Sequence, residues 1–164
     1  MSVMVERAKW LAKMVHADEI RKDGKPYYTH CDNVAEAVKD KGEIFESVGH
    51  MHDVLENAKN PDTIRLLMTD YFPQEVIHLV ETLTHDKNIY YNHYIDVVCN
   101  NPKALIIKFE DMINNTNDVD QPNYSERQFK KYREACIYMI AKGKDVPKIL
   151  KERLKIEPEL VLGE

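Results

Sequence analysis

Residues 44–57, IFESVGHMHDVLEN, decide how this chain is read. Val48, Met51 and Leu55 recur at intervals of three and four, which places them on one apolar stripe of a helix spanning roughly 44–55. Near the end of that helix stand the adjacent His52 and Asp53, with Glu56 one turn after the pair. Neighbours on a helix are ~100° apart, so an imidazole and a carboxylate at successive positions both reach one ion from a helix edge. Two further residues of ligand type lie outside the stretch, His30 upstream and Asp111 downstream. Two imidazoles and two carboxylates suit Mn, Fe, Co or Zn better than Ca or Mg. If the four converge on one ion, the expected chemistry is metal-assisted hydrolysis.

Upstream, Met4, Ala8, Leu11 and Val15 form the stripe of a first long helix. RKDGKPYYT (21–29) is then a loop, broken by Gly24 and Pro26. His30 follows at the start of a helix over 30–41, with Val34, Ala37 and Val38 inward and Gly42 ending it. Downstream, Asn60-Pro61-Asp62 starts a helix carrying Ile64, Leu67, Met68 and Tyr71. Pro73 opens the next, packed through Val76, Ile77, Val80 and Leu83, and another helix is expected over 89–98.

Pro102 suits the first turn of a helix over 104–115, ALIIKFEDMINN. Asp111 lies among its apolar positions, where an unpaired carboxylate is costly and a metal would satisfy it. Asn115 is one turn later on the same face, and Lys108 is expected to snorkel to the surface. Ser125 with Gln128 reads as a capping box for a long helix ending near Gly143, and Pro147 begins a short terminal one. No alternating run marks a strand. The expected architecture is an all-α bundle in one domain, residues 1–145, followed by a short helix and tail over 146–164.

With 164 residues, 43% hydrophobic and 31% charged, the chain is of a size and composition for a single globular core. A formal net charge of −5 argues against a non-specific nucleic-acid binder, but not against a small anionic substrate at a local basic patch. The cysteines, Cys31, Cys99 and Cys136, are odd in number and form no CxxC, so they read as cytosolic thiols. Glu6, Arg7 and Lys9 stand where a signal peptide needs an apolar core, and no apolar run approaches the ~18 residues of a membrane span. The expected compartment is the cytoplasm, with no membrane and no nucleic-acid partner; association into oligomers is compatible with the sequence.

A lone His-Asp dipeptide is common by chance, and His85-Asp86 is an internal control. It runs into Lys87-Asn88 and reads as a solvated helix terminus. His50, two residues before His52, points to the opposite side, and His16, His78 and His93 have no partners at ligand spacing.

The pattern H…HD…D in a helical chain resembles the HD-domain phosphohydrolases, and the flanking residues make the likeness closer. RKDGKPYYTH (21–30) is similar to the R-K-x-G-x-P-Y-x-x-H segment of the hydrolase domain in RelA/SpoT alarmone enzymes. HDVLEN (52–57) resembles HDxxED, FPQEVIHLVETLT (72–84) resembles F-G-x-E-V-x-x-L-V-x-x-x-T, and IIKFEDMINNTND (106–118) resembles I-K-L-A-D-R-L-H-N-M-R-T. Together these cover about residues 10–118, in order. The resemblance implies an HD-domain helical bundle with one divalent ion, most often manganese, held by His30, His52, Asp53 and Asp111. It implies Glu56 as catalytic acid, Arg21 and Lys22 as the basic pair beside the base and phosphates, and Asn115 as a contact to the sugar. Lys25 would add positive charge for phosphate, and Tyr27 or Tyr28 a ring to pack on the base, although a Tyr after Pro in a loop is as often structural. The absence of a following synthetase region makes the chain similar to the small stand-alone alarmone hydrolases of the stringent response.

The chain departs from the pattern at Asn57, which stands where the family has Asp at a catalytic position. An amide can hydrogen-bond a water but cannot take its proton. Cys31 replaces a common Pro, and Met112, Asn114 and Asn117 replace Arg, His and Arg, removing positive charge near the expected phosphate path. The favoured expectation is a (p)ppGpp or (p)ppApp 3′-pyrophosphohydrolase. A nucleoside 5′-monophosphatase needs Glu56 but no acid at 57, and a nucleotide-binding sensor would bind without turnover.

Overall fold

The computed structural model describes residues 2–157, so residues 158–164 of the tail expected over 146–164 lie outside the described residues. Every regular element among the described residues is helical, as expected, apart from one isolated antiparallel bridge between Ile20 and Pro26. No described helix is long and apolar enough to cross a membrane. The chain gathers into two compact units, Met1–Ile89 and Tyr90–Glu164.

In the first unit, α1 (Val3–Val15) is capped by the Ser2 side chain, which accepts from the Val5 N–H at 3.1 Å. It buries Val5, Ala8, Leu11 and Ala12, the stripe expected from the spacing turned by about one residue. After the 21–27 loop comes α2 (Tyr28–Val38), continued by a 3-10 turn over Lys39–Lys41. The helix starts before His30 because Pro26 and Tyr27 carbonyls already accept from Thr29 and His30 N–H groups, at 3.0 Å each. Val34, Ala35 and Val38 face inward, while Ala37 is exposed. α3 (Glu43–Met51) packs on both α1 and α2.

The expected helix over 44–55 is two helices. α3 stops at Met51, His52 and Asp53 form a turn, and α4 (Val54–Asn57) is a single turn. Asp53 sits at φ −107°, ψ 2°, the bridge region between helix and strand, and there the helix is interrupted. Apolar spacing alone hid the break, because Val48, Met51, Val54 and Leu55 are buried on both sides of it. α5 (Pro61–Tyr71) follows, with Asn60 accepting from the Thr63 N–H, and then α6 (Gln74–Thr82).

One glycine sets the closest approach in this unit. A Cβ at Gly49 would lie 2.6 Å from Ala35 Cα and 2.9 Å from Ala35 N, so α3 touches α2 backbone to backbone. That contact lies on the two helices that carry or end at His30 and His52.

In the second unit, α7 (Tyr91–Cys99) packs on α8 (Pro102–Asn115) and on α9 (Glu126–Ala141), and α10 (Lys148–Arg153) packs on α8. Asn101 caps α8 through the Ala104 N–H, and Ser125 caps α9 through the Gln128 N–H at 3.2 Å. The reciprocal half of the expected capping box is absent: the Gln128 amide instead reaches the Tyr132 hydroxyl at 3.2 Å. Cys31, Cys99 and Cys136 are all buried and form no disulfide.

Candidate metal centre

Within the first unit, α2 delivers His30 from its first turn and the α3–α4 break delivers His52 and Asp53. Both imidazoles are buried, and one ligand atom from each of the three residues lies within 4.8 Å of the others. His30 Nε2 is 3.2 Å from His52 Nε2, and Asp53 Oδ2 lies 3.0 Å from His52 Nε2 and 3.7 Å from His30 Nε2. His52 owes its position to the break: its Nδ1 meets the Gly49 carbonyl at 2.8 Å. A carbonyl only accepts, so Nδ1 carries a proton, and in the neutral tautomer the Nε2 lone pair is the one turned toward His30 and Asp53.

Two imidazole nitrogens and a carboxylate oxygen, all atoms of metal-ligand type, face one another within 3.7 Å. One divalent ion among them would take all three as ligands, and the bond from the far side of the His52 ring to a backbone carbonyl is one that ligand histidines commonly make. The residues therefore fit a transition ion of the imidazole-and-carboxylate type.

Tyr27 was expected against a nucleotide base. Its hydroxyl donates to Asp53 Oδ2 at 2.7 Å, and its ring packs against His16 and His30 with centroids at 4.8 and 5.7 Å. Arg21 is half-buried with its guanidinium 5.8 Å from the Tyr27 ring centre, while Lys22 and Lys25 are exposed. The loop holding them is closed by the Arg21 N–H on the Lys25 carbonyl at 2.8 Å and turned by Gly24 at φ 84°.

Glu56 points outward from α4, and its carboxylate accepts from the backbone N–H of His85 just after α6. Asn57 donates through Nδ2 to Glu19 Oε2 at 3.0 Å. Glu19 was not singled out from the sequence; an amide at 57 is the signal that directs a search for a nearby acid. His50 is not among the clustered residues and lies 3.2 Å from Asp32. Burial lowers the His50 pKa, against the pull of Asp32.

The second unit holds Asp111 on α8, buried as the sequence suggested. Its carboxylate is already well dressed: Lys108 Nζ donates to Oδ2 at 3.0 Å and Asn115 Nδ2 to Oδ1 at 2.9 Å. Each oxygen keeps a further lone pair for another partner. Lys108 corrects the expectation that it snorkels to the surface, since it is buried. Burial works against its charge, but Tyr94, Asp111, Tyr91 and Tyr132 outweigh it and hold the ammonium's pKa well above the ordinary value. Its Nζ sits 5.4 Å from the Tyr94 ring centre, a cation–π contact that supports the buried charge. Asn115 is thus a partner of Asp111, and its own carbonyl accepts from the Tyr124 hydroxyl at 2.9 Å.

No family model matches the chain. The chain is 29% identical over 121 residues to the guanosine-3′,5′-bis(diphosphate) 3′-pyrophosphohydrolase of Aquifex aeolicus (strain VF5). The match takes in 68% of this chain and spans 17% of the length of that relative. Among solved structures it is similar to one described as "A metazoan ortholog of SpoT hydrolyzes ppGpp and plays a role in starvation responses", with a TM-score of 0.70 at 18% identity, over 99% of this chain and 96% of that one. In fold, the chain is an HD-type helical bundle like that of this solved structure.

Proposed function

We propose that this chain is a metal-dependent nucleotide phosphohydrolase, and within that class an alarmone 3′-pyrophosphohydrolase that releases pyrophosphate from (p)ppGpp or its adenine counterpart. The observation that carries the reading is the convergence of His30, His52 and Asp53, locked by the Gly49 carbonyl and the Tyr27 hydroxyl. In the proposal these three are metal ligands, Asp111 of the second unit is the fourth, and manganese is the ion. A bound divalent ion supplies Lewis-acid activation of water and of a phosphoryl oxygen.

The chain's own residues do the rest. Glu56 carries a proton, as base toward the attacking water or as acid toward the leaving oxygen. Arg21, Lys22 and Lys25 offset phosphate charge from one closed loop, with the Arg21 guanidinium kept in place by the Tyr27 ring. Tyr27 acts chiefly by orienting Asp53, and Asn115 serves both Asp111 and the nucleotide sugar. Asn57 orients a water through its amide. The 29% identity to a protein whose name carries the proposed activity supports this reading, and a cytoplasmic setting is part of the proposal.

The amide at 57 favours a second reading, a nucleoside 5′-monophosphatase, whose chemistry needs no acid there. A metal-replete screen of ppGpp, ppApp, NADPH and deoxynucleoside monophosphates, with product identification, separates the two. Pyrophosphate from an alarmone supports the proposal. Orthophosphate from a monophosphate overturns it in favour of the second reading, and tight binding without turnover makes the chain a sensor.

A further inference from the structure

Asn57 does not stand alone. Its Nδ2 donates to Glu19 Oε2 at 3.0 Å, and the other Glu19 oxygen pairs with Nδ1 of the fully buried His16 at 2.9 Å. The Glu19 carbonyl accepts at 2.8 Å from the N–H of Tyr27, the residue whose hydroxyl holds Asp53. Glu19 and Asn57 share a cavity of about 350 Å³, together with Asp18, Lys59 and Asn60. A carboxylate fixed on one side by a buried imidazole and on the other by an amide is a built arrangement, and it lies beside the one position where the expected acid is missing.

An ionised carboxylate only accepts hydrogen bonds, so it dictates which way the planar Asn57 amide lies. The NH₂ group must face Glu19; the reverse flip would set two oxygens against each other. Oδ1 is then turned away from Glu19 as an acceptor. We propose that Glu19 is a positioning residue of the site. It locks the Asn57 amide in one flip, so that Oδ1 presents a fixed acceptor to a water or substrate hydrogen, and it carries the negative charge that an acid at 57 would bring. Two residues thereby divide the work of one carboxylate: Asn57 orients and Glu19 is charged. The inference rests on the hydrolase reading above and adds a residue to it.

The pair can be transposed, which makes the claim testable. Glu19→Gln reverses the constraint: with its amide oxygen held by the His16 N–H, its NH₂ faces Asn57 and draws Oδ1 toward position 19 and away from its place as a free acceptor. Asn57→Asp sets two carboxylates at hydrogen-bond distance, where one must hold a proton or the pair must part. Glu19→Gln with Asn57→Asp restores one amide and one acid with roles exchanged, and the amide oxygen introduced by Glu19→Gln still accepts from His16.

The four proteins are compared by hydrolysis of ppGpp with Mn²⁺, for kcat, KM and pH profile, and by urea unfolding at pH 5.5 and pH 8. His16, Asp18 and Lys59 are the other titratable groups at this corner, and they are unchanged throughout. Glu19→Gln should lower kcat about tenfold, the worth of one well-placed hydrogen bond, with KM within about twofold of wild type. Asn57→Asp should lose stability between pH 5.5 and pH 8, and the double variant should regain it and exceed the Asn57→Asp kcat at pH 8 about tenfold. Wild-type kcat and pH profile in Glu19→Gln, or an Asn57→Asp protein indifferent to the second change, would overturn the inference. If wild type turns over no nucleotide, the hydrolase reading fails on its own. The unfolding cycle then decides the pairing, with coupled effects supporting it and additive ones overturning it.

Discussion

Gly49→Ala joins the packing of the first unit to its chemistry. The added Cβ would lie 2.6 Å from Ala35 Cα, 2.9 Å from Ala35 N and 3.2 Å from Ala35 Cβ. Carbon atoms in good contact are about 3.5–4.0 Å apart, so α2 and α3 must separate locally by about 1 Å. The two closest groups are helical backbone, and no rotamer change relieves the overlap. Overpacking of this kind costs about 1–3 kcal/mol, and backbone against backbone belongs at or beyond the upper end. Alanine recovers about 1 kcal/mol of helix propensity over glycine. The expected net loss is about 2 kcal/mol, read as a lower urea midpoint by far-UV circular dichroism.

Metal binding should suffer more than stability. α2 carries His30, and the Gly49 carbonyl itself orients His52, so a local opening of the helix pair falls on the 3.2 Å gap between the two Nε2 atoms. Metal–ligand distances tolerate only about 0.2 Å. Cobalt titration followed by its visible bands should show affinity reduced at least tenfold. Gly143→Ala is the control: Gly143 sits at φ 80° with no atom within 4 Å of a built Cβ. That change strains the turn after α9 without touching the helix pair or the 16–27 segment and should leave cobalt affinity unchanged. If Gly49→Ala matches wild type in both urea midpoint and cobalt affinity, the α2–α3 contact is not what sets the imidazoles.

Asp53→Ala should abolish binding of about one equivalent of metal, measured by elemental analysis after dialysis; equal metal in variant and wild type removes Asp53 from the ligand set. Glu56→Gln should keep fold and metal and lose turnover by about 10²-fold or more, as expected for a proton carrier, and full activity would exclude that role. Lys108→Met strips the buried Asp111 carboxylate of its ammonium while leaving the Asn115 amide, and should cost about 3 kcal/mol in urea unfolding under EDTA; a change below about 0.5 kcal/mol would show the ion pair to be dispensable. Burial pushes the Cys136 thiol up to about 12, so at pH 8 its thiolate fraction is about 10⁻⁴, and iodoacetamide should label it in urea but not in the native protein.

Much of the fold was legible because helix starts carry local chemistry. Asn60, Asn101 and Ser125 each cap a helix start, through Thr63, Ala104 and Gln128 N–H groups. The ligand-type residues His30, His52 and Asp53 were legible as residue types at a given spacing. What spacing cannot report is an interruption of the helix that leaves the apolar stripe intact, and so it does not reveal the break at His52 and Asp53. Lys108 was misread for a related reason. Snorkelling assumes that the helix face leads to water, whereas Tyr94 and Tyr132 are buried around this ammonium and come from two other helices. Glu19 was invisible because it lies 38 residues from Asn57, and no local rule links the two.

The break also explains how the site is ordered. α4 has four residues, too few for a helix to hold itself in water by its own hydrogen bonds. Yet it and its N-cap carry Asp53, Glu56 and Asn57. Each of the three is pinned from outside: Asp53 by the Tyr27 hydroxyl, Glu56 by the His85 backbone N–H, Asn57 by the Glu19 carboxylate. Two of the three anchors belong to the short segment between α1 and α2, itself closed by the Tyr27 N–H on the Glu19 carbonyl. That segment also bears Arg21, Lys22 and Lys25, so the charges proposed to meet phosphate and the groups that aim the chemistry share one scaffold. Loosening it at Glu19 or Tyr27 should therefore disturb binding geometry and proton transfer together, whereas a change at His85, whose backbone rather than side chain makes the anchor, should be tolerated as long as the residue there is not proline.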